Sequence, residues 1–250
     1  MFQPRIIPVL LLKNNGLYKS VKFKNHQYIG DPINAVKIFN DLKADELVFL
    51  DIEASKQNRL ISLDFVKEVG EEANMPFAVG GGIKSLEDIQ KIIHAGAEKV
   101  VITSAALQNP NFISDASNAF GKSTIAVCMD VNKNIFGKSK VYGLGGSKAY
   151  DYSPVDYAKL MQDKGAGEII VQSMALDGTM NGYDLDLILS ISKAVSIPVI
   201  ALGGAGKMEH LQQAFHQSYA NGLAAGSLFV YQGTKKGVLI NYPEPIEKQL

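Results

Sequence analysis

Three aspartates stand at or just behind the ends of apolar runs, where parallel strands would stop. They are Asp51, Asp130 and Asp177. A carboxylate at such a point suits proton transfer at the mouth of a barrel, and strand-capping hydrogen bonds are the competing explanation. For Asp51 the two explanations weigh equally. Asp130 is the stronger candidate for an acid or base, because Cys128 and Met129 leave it without polar neighbours within its strand.

Glycine-rich strand ends form a second group of candidate residues. Val79–Gly82 and Leu202–Gly206 each close an apolar run, and the run after each of them ends in a small polar pair, Thr103-Ser104 or Gly226-Ser227. Glycine lets the backbone approach an anion, and N–H groups at a helix start favour negative charge. The glycines could instead serve only tight turns. Their pairing with serine at matched offsets favours two phosphate-binding loops and a ligand with two phosphates.

Four charged residues stand at the opposite ends of the apolar runs. Arg5, Glu46, Lys99 and Glu168 each open one of them. Solvation of the strand starts is the ordinary explanation. Two cations and two anions at one end of a barrel could also form a neutral ring of salt bridges that closes its floor.

The elements that must position these residues alternate along the chain. Short runs that are apolar on both faces are typical of parallel strands covered by helices, and amphipathic stretches lie between them. The predicted strands are Arg5–Leu12, Glu46–Ile52, Pro76–Gly80, Glu98–Thr103, Thr124–Asp130, Glu168–Ser173, Pro198–Leu202 and Gly222–Gly226. The predicted helices are Pro32–Leu42, Leu63–Glu71, Ser85–Ala95, Pro154–Lys164, Leu185–Ala194 and Lys207–Phe215. Eight such strands predict a (β/α)8 barrel, formed by residues 1–250 as a single domain.

An internal repeat supports this architecture. Displacing the chain by 122 residues lays Glu46 on Glu168, the Gly81-Gly82 pair on Gly203-Gly204, and His94 on His216. A period this long is not that of a solenoid. It predicts two similar halves of four β/α units each.

Two connections are longer than the fold requires. Lys13–Asp31 is polar and rich in lysine, and Val131–Ser153 contains the segment Ile135–Tyr142 followed by Gly143–Gly146, which predicts a small hairpin. Long loops at the C-terminal face of a barrel often act as lids or binding loops. A tolerated surface insertion is an equally good explanation of the second connection.

Composition narrows the class of protein. The 250 residues hold 25 Lys and Arg against 25 Asp and Glu, a balance that argues against a nucleic-acid-binding surface. The lone Cys128 suits a reducing compartment, and neither a membrane span nor a signal peptide is apparent. We therefore expect a cytoplasmic protein that binds neither membrane nor nucleic acid. No metal-ligand spacing or serine or cysteine nucleophile motif is present, so no metal or cofactor is expected.

Several motifs together resemble the cyclase subunit of imidazole glycerol phosphate synthase. The resemblance runs from the first strand to about Phe229. It is carried by Arg5–Pro8, Gly30–Pro32, Asp45–Asp51, Gly80–Ile83, Gly165–Glu168, Asp177–Thr179, Gly182–Asp184 and Gly203–His210. That family is a (β/α)8 barrel with a two-fold repeat, which pairs with a glutaminase subunit and uses ammonia on a bis-phosphorylated ribonucleotide.

The resemblance implies roles for individual residues. Asp130 would be a catalytic acid or base, and Lys19, Asp51 and Asp177 would contact the substrate. The ring of Arg5, Glu46, Lys99 and Glu168 would be the gate through which ammonia enters from a glutaminase bound to the N-terminal barrel face in a heterodimer. The residues implied in phosphate binding are Gly82, Thr103, Ser104, Gly178, Gly204, Gly226 and Ser227.

One departure from the family pattern concerns catalysis. The family's first strand ends Cys-Leu-Asp-Val-Lys, with an essential aspartate base, whereas this chain reads Val9–Lys13 with Leu11 in that place. The following family loop, Asp-Gly-Arg-Val-Val-Lys-Gly, is replaced by Asn14–Ser20, in which only Lys19 survives cleanly. Leucine cannot move a proton, and general acid–base catalysis typically accounts for about 10²–10⁴-fold in rate.

We therefore expect a divergent paralogue, the synthase-type subunit of a glutamine-dependent amidotransferase. It would pass ammonia to another phosphorylated or sugar acceptor, such as a sugar being amidinated for a surface polysaccharide, as the resemblance suggests. Two alternatives remain open at this point. The chain could be a working cyclase of histidine biosynthesis with a substitute for the missing base, or a non-catalytic activator of a glutaminase.

Overall fold

The computed structural model describes residues 3–134, 136–233 and 236–244. Its strands are β1 (Arg5–Lys13), β2 (Gly16–Val21), β3 (Lys24–Gly30), β4 (Leu47–Asp51), β5 (Phe77–Gly80), β6 (Lys99–Ile102), β7 (Ile125–Lys133), β8 (Ser139–Gly143), β9 (Lys148–Tyr150), β10 (Glu168–Ser173), β11 (Val199–Leu202), β12 (Gly222–Ala225), β13 (Tyr231–Gln232) and β14 (Gly237–Val238). The helices are α1 (Pro32–Asp41), α2 (Leu63–Glu72), α3 (Leu86–His94), α4 (Ser104–Gln108), α5 (Asn111–Phe120), α6 (Pro154–Asp163), α7 (Leu185–Ser192), α8 (Met208–Ser218) and α9 (Ser227–Val230).

Eight of the strands form a closed parallel barrel. β1 pairs with β4, and the order continues through β5, β6, β7, β10 and β11 to β12, which pairs with β1 again. The (β/α)8 barrel expected from the sequence is thereby confirmed. The single domain over all 250 residues extends beyond the described ranges and stays a prediction.

The barrel strands alternate between two apolar layers. Along β1, Ile7 and Val9 belong to the inner cluster, whereas Ile6, Leu10 and Leu12 pack in the outer one against the helices. The inner cluster also contains Val48, Ala78, Val101, Ala126, Cys128, Ile170, Ile200, Leu202 and Ala224. Filling both faces of each strand accounts for the continuously apolar runs by which the strands were recognised.

The two halves open their first helices in the same way. Asp31 caps α1 and Ser153 caps α6, each accepting a hydrogen bond from a first-turn N–H group, and proline follows each cap. Proline fits this position because it has no N–H group, and an N–H in the first turn would have no acceptor within the helix. The two-fold repeat thus extends to helix capping.

The long connection after β1 is more regular than expected. Lys13–Asp31 is not a polar loop but contains an antiparallel hairpin, in which β2 pairs with both β1 and β3. The hairpin was not predicted from the sequence because β3 is mostly exposed and lacks the apolar alternation of a half-buried strand.

The hairpin expected after the fifth barrel strand is present. β7 continues past Asp130 to Lys133 because it pairs with β8 beyond the barrel, and β8 pairs with β9. Ile135 lies outside the described residues.

Three helices of the described chain were not predicted from the sequence. α4 and α9 are single turns that begin at Ser104 and Ser227, too short to show a period. The third, α5, has the sequence NFISDASNAF, whose asparagines and serines favour caps and turns over helix interiors. None of the helices in the described ranges is long and apolar enough to span a membrane.

Candidate active site

A cavity of about 250 Å³ opens at the C-terminal ends of the barrel strands. Every residue that the sequence suggested for catalysis or for substrate and phosphate binding contributes to its lining: Lys19, Asp51, Gly82, Thr103, Ser104, Asp130, Asp177, Gly178, Gly204, Gly226 and Ser227. The residues suggested for the gate lie elsewhere, at the strand starts.

Asp130 is buried in the wall of this cavity on β7. The pKa of its carboxyl is raised to about 7, first by burial and then by the negative charge of Asp177, while a contact from the Cys128 thiol at 3.9 Å opposes the rise. A carboxyl with this pKa is partly protonated near neutral pH, so it can either donate or accept a proton.

Leu11 lines the same cavity, at the place where the sequence resemblance implies an aspartate in the related family. Its side chain is half-buried and packs with Leu50 against the inner cluster. An apolar group there supplies neither a proton donor nor an acceptor. Among the described lining residues, the carboxylates are Asp51, Glu53, Asp130 and Asp177.

Asp51 is already engaged by protein groups. Its Oδ1 accepts the N–H groups of Glu53 and Ala54, both at 3.0 Å, and Nη1 of Arg59 lies 2.6 Å from its Oδ2. Asp51 therefore caps its strand, the structural explanation that weighed equally in the sequence. Arg59 was missed because it lies in a loop without any recognisable motif.

Asp177 ties the β2–β3 hairpin to the barrel. Its Oδ2 accepts hydrogen bonds from the Ser20 hydroxyl at 2.8 Å and the Phe23 N–H at 3.3 Å. Its Oδ1 accepts from Nε2 of Gln172 at 3.2 Å. The buried carboxylate thus fixes one wall of the cavity. Ser20 occupies the place of a glycine in the related family's loop, and nothing in the sequence suggested this bond.

Lys19, next to Ser20 on the same hairpin, carries a buried ammonium in the cavity wall. A Cβ added to Gly226 would lie 1.9 Å from its Nζ, so the ammonium rests against that glycine. Burial lowers the pKa of Lys19, and Asp177 partly offsets this. In the described part of the chain Lys19 forms no ion pair, so a bound anion would meet a cation beside Gly226 that no carboxylate contacts directly.

Two of the glycines implied in phosphate binding, Gly82 and Gly204, are also required by the backbone conformation and by close packing. Gly82 has a φ of +71°, and a Cβ there would lie 1.8 Å from the carbonyl oxygen of Arg59. Gly204, its counterpart in the repeat, has a φ of +110°. A Cβ there would lie 2.0 Å from the carbonyl oxygen of Gly182. Tight packing alone therefore explains glycine at both positions, and phosphate binding rests on the neighbouring groups.

The loops at Ser104 and Ser227 begin the single-turn helices α4 and α9. Neither Thr103 nor Gly226, the residues before them, caps its helix with a side-chain hydrogen bond. Ser104 accepts a hydrogen bond from the N–H of Leu144 at 3.0 Å, which joins the first of these loops to the β8–β9 turn.

The four charged residues at the strand starts meet at the barrel floor. Arg5 donates to both carboxylates, Glu46 and Glu168, with 2.6 Å between its Nη2 and Oε2 of Glu168. Nζ of Lys99 lies 3.1 Å from Oε1 of each glutamate. Each cation therefore contacts both anions, and the ring has no net charge.

In the described ranges, no group of three or more His, Cys, Asp or Glu is arranged to hold a metal ion. Cys128 is a free, buried thiol whose pKa is raised well above its ordinary value by burial and by Asp130. Neither observation adds a reactive group to the cavity.

Known proteins of one family are similar to this chain in sequence. The model of the family described as histidine biosynthesis protein matches residues 5–236. The imidazole glycerol phosphate synthase subunit HisF of Alkaliphilus metalliredigens is 44% identical over 231 residues, 92% of each chain. That of Streptococcus mutans is 40% identical over 231 residues, again 92% of each chain.

A third relative extends the similarity to the whole chain. A Vibrio vulnificus protein, provisionally named imidazole glycerol phosphate synthase subunit hisF3, is 42% identical over 250 residues, 100% of this chain and 96% of its own length. With the barrel and its mouth described, these matches establish that the chain belongs to the histidine biosynthesis protein family, as an enzyme subunit of the imidazole glycerol phosphate synthase cyclase type.

Proposed function

We propose that this subunit takes up ammonia at its barrel floor and delivers it at its mouth to a phosphorylated or sugar acceptor, without full histidine-pathway cyclase activity. The observation that carries the proposal is Leu11 in the cavity wall, where the family's second acid–base carboxylate would stand. The scaffold, the floor and the anion-binding mouth are retained, while half of the acid–base pair is missing.

The barrel floor supports ammonia entry. Arg5, Glu46, Lys99 and Glu168 close the strand starts with a neutral ring, and the barrel interior above it is apolar. Neutral ammonia suits such an interior because it carries no charge to desolvate. A gate at the N-terminal face is useful only where a source of ammonia docks, so we assign that face to a glutaminase subunit.

The mouth supports binding of a phosphorylated acceptor. Lys19 lies beside Gly226 without an ion-pair partner among the described residues, and the starts of α4 and α9 border the cavity on two sides. N–H groups at helix starts and an ammonium outside any ion pair favour the binding of a phosphate dianion.

A working histidine-pathway cyclase is the second candidate. It is favoured by Asp130, whose pKa near 7 makes this single group able to act as acid and base in turn. Turnover of the histidine-pathway substrate with ammonium salt would separate this candidate from the first.

The ammonia route is tested with the cognate glutaminase. Mixing the two purified proteins should give a complex and raise glutamine hydrolysis. A complex that hydrolyses glutamine yet supports no transfer to any acceptor would make the chain a non-catalytic activator. Absence of association at micromolar concentrations would contradict the proposed function altogether.

A further inference from the structure

Two segments of this chain carry positive charge without any negative charge. Residues 14–30 and 131–150 contain lysines but neither aspartate nor glutamate, although the whole chain has equal numbers of both signs. These segments form the β2–β3 hairpin and the β7–β8–β9 extension. Both stand beyond the C-terminal ends of the barrel strands, beside the cavity mouth.

The two segments touch each other and form one surface. A Cβ on Gly146, in the β8–β9 turn, would lie 3.1 Å from Cδ2 of Phe23, in the β2–β3 turn. The same turn contacts Lys56 on the adjoining loop, whose Cε would lie 2.9 Å from a Cβ on Gly145. We call residues 14–30, 131–134 and 136–150 the mouth platform.

The lysines of the mouth platform are mostly free to meet a partner. In the described part of the chain, five exposed ones form no ion pair: Lys22, Lys24, Lys133, Lys138 and Lys148. Lys140 is paired with Asp151. The carboxylates of the inner rim do not neutralise them, since Asp51 is held by Arg59 and Glu53 by Lys13.

Large apolar side chains accompany this charge. Phe136 at the tip of the β7–β8 connection is 79% exposed, Tyr28 on β3 is 58% exposed, and Val21 is 39% exposed. Exposed aromatic residues within a polar rim are typical of protein interfaces. A small anion needs no aromatic contact, and Lys19 inside the cavity already provides it with a buried cation.

We infer that the mouth platform is the docking surface for the enzyme that consumes the ammonia, through an acidic face of that enzyme. The inference rests on the proposed function. Ammonia that reached an open mouth would escape into water, whereas an enzyme seated on the platform would cover the mouth and hold the acceptor where the ammonia emerges. With Leu11 in place of the second catalytic carboxylate, the chain itself lacks one acid–base group, so a second enzyme would have to supply that chemistry.

The test combines crosslinking with nitrogen transfer. A photoreactive phenylalanine replaces Phe136 on the platform or Tyr219, an exposed residue in a loop on the N-terminal side of the barrel. In cells that make this protein, position 136 should crosslink to an enzyme that uses ammonia, and position 219 to the glutaminase. The captured enzyme is then purified and assayed with the chain and the glutaminase.

Platform variants decide whether the capture has functional meaning. K24E combined with K138E, and separately F136S, should lower glutamine-dependent product formation about tenfold while leaving glutamine hydrolysis and ammonium-dependent product unchanged. K159E on α6 and I38S on α1 are the matched controls, since both residues are exposed on the outer wall.

The outcomes separate this inference from the function on which it rests. If position 219 captures the glutaminase but platform variants behave like their controls, the docking surface is wrong and ammonia delivery stands. If K24E/K138E weakens binding of inorganic phosphate instead, the platform attracts small anions and not a protein. If the glutaminase fails to bind at all, the proposed function falls first.

Discussion

At the scale of single residues, burial decides what Asp130 can do. The carboxyl is surrounded by protein and faces Asp177, so its charged form is disfavoured and its pKa rises to about 7. An ordinary aspartate would be fully ionised at neutral pH and a poor proton donor. The same burial that makes Asp130 useful as an acid therefore costs stability once it ionises.

Replacing Asp130 with asparagine should change the pH dependence of stability. The folded pKa lies above the unfolded value, so the contribution of Asp130 to stability is lost as pH rises through about 7. Asp130→Asn removes that loss, so its free energy of unfolding should gain a few kcal/mol over the wild type between pH 5 and pH 8, roughly 1.4 kcal/mol per unit of pKa shift. Urea titrations at both pH values measure this. Asp163→Asn, at an exposed aspartate, should show no such pH-dependent gain.

Lys19 should dominate anion binding at the mouth. Lys19→Met removes the buried ammonium beside Gly226, and affinity for inorganic phosphate should fall about 10–100-fold, as expected for a lost bond to a charged group of about 1.5–3 kcal/mol. Calorimetric titration with phosphate provides the measurement. The matched variant Lys56→Met, at an exposed lysine on the cavity rim, should change affinity little. Equal losses in both variants would contradict the assignment of Lys19.

At the scale of elements, the β2–β3 hairpin behaves as a fixed wall. Ser20 and Phe23 donate hydrogen bonds to the Asp177 carboxylate. In addition, the N–H of Lys22 donates to the backbone carbonyl of Asp177 at 2.9 Å. A lid that opens freely would not be held at its turn by several hydrogen bonds to the barrel. The hairpin thus holds Lys19 in the cavity through the neighbouring Ser20.

Removing one hydroxyl should loosen this hairpin. Ser20→Ala breaks the 2.8 Å bond to Asp177, and amide hydrogen exchange of Lys22 and Phe23 should accelerate by roughly 5–30-fold, corresponding to about 1–2 kcal/mol of local stability. Ser190→Ala, on α7 away from the hairpin, removes a hydroxyl that donates to the carbonyl of Leu187, and as the control it should leave those two amides unchanged. Unchanged exchange in Ser20→Ala would show that Asp177 does not hold the hairpin.

The elements also show why sequence reasoning succeeded and where it failed. The barrel strands were predictable because burial on both faces makes runs such as Val199–Leu202 apolar without a break. The β2–β3 hairpin was not, since β3 lies mostly in solvent and carries polar residues. The cavity-lining residues followed from strand ends and glycine pairs, whereas Arg59 and Ser20 act through contacts between distant loops that no local pattern reveals.

At the scale of the whole molecule, the barrel separates two chemical environments. The floor is a closed ring of charges with Glu46 and Glu168 almost fully buried, and the mouth is an open cavity with a cationic rim. In the proposed function ammonia crosses the apolar layer between them. The ring should then matter both for stability and for coupling to a glutaminase.

Breaking the ring should reveal both roles. Lys99→Met leaves two buried glutamates with Arg5 alone, and the free energy of unfolding should fall by about 3 kcal/mol, as for other disrupted buried pairs. The ratio of glutamine-dependent to ammonium-dependent product should fall as well. Urea unfolding and product assays measure the two effects. Lys159→Met on the outer wall of α6 should show neither, and loss of stability without a changed ratio would remove the gate role.

The central claim is that Leu11 leaves this subunit with an incomplete acid–base pair. The most direct measurement is ammonium-dependent turnover of the histidine-pathway substrate by the unmodified chain, with Leu11→Asp assayed in parallel. We predict turnover about 10²–10⁴-fold below that of a two-carboxylate enzyme, with partial recovery in Leu11→Asp because Asp130 and Lys19 already line the cavity. A kcat of roughly 1 s⁻¹ or more for the unmodified chain would contradict the claim and return the protein to histidine biosynthesis.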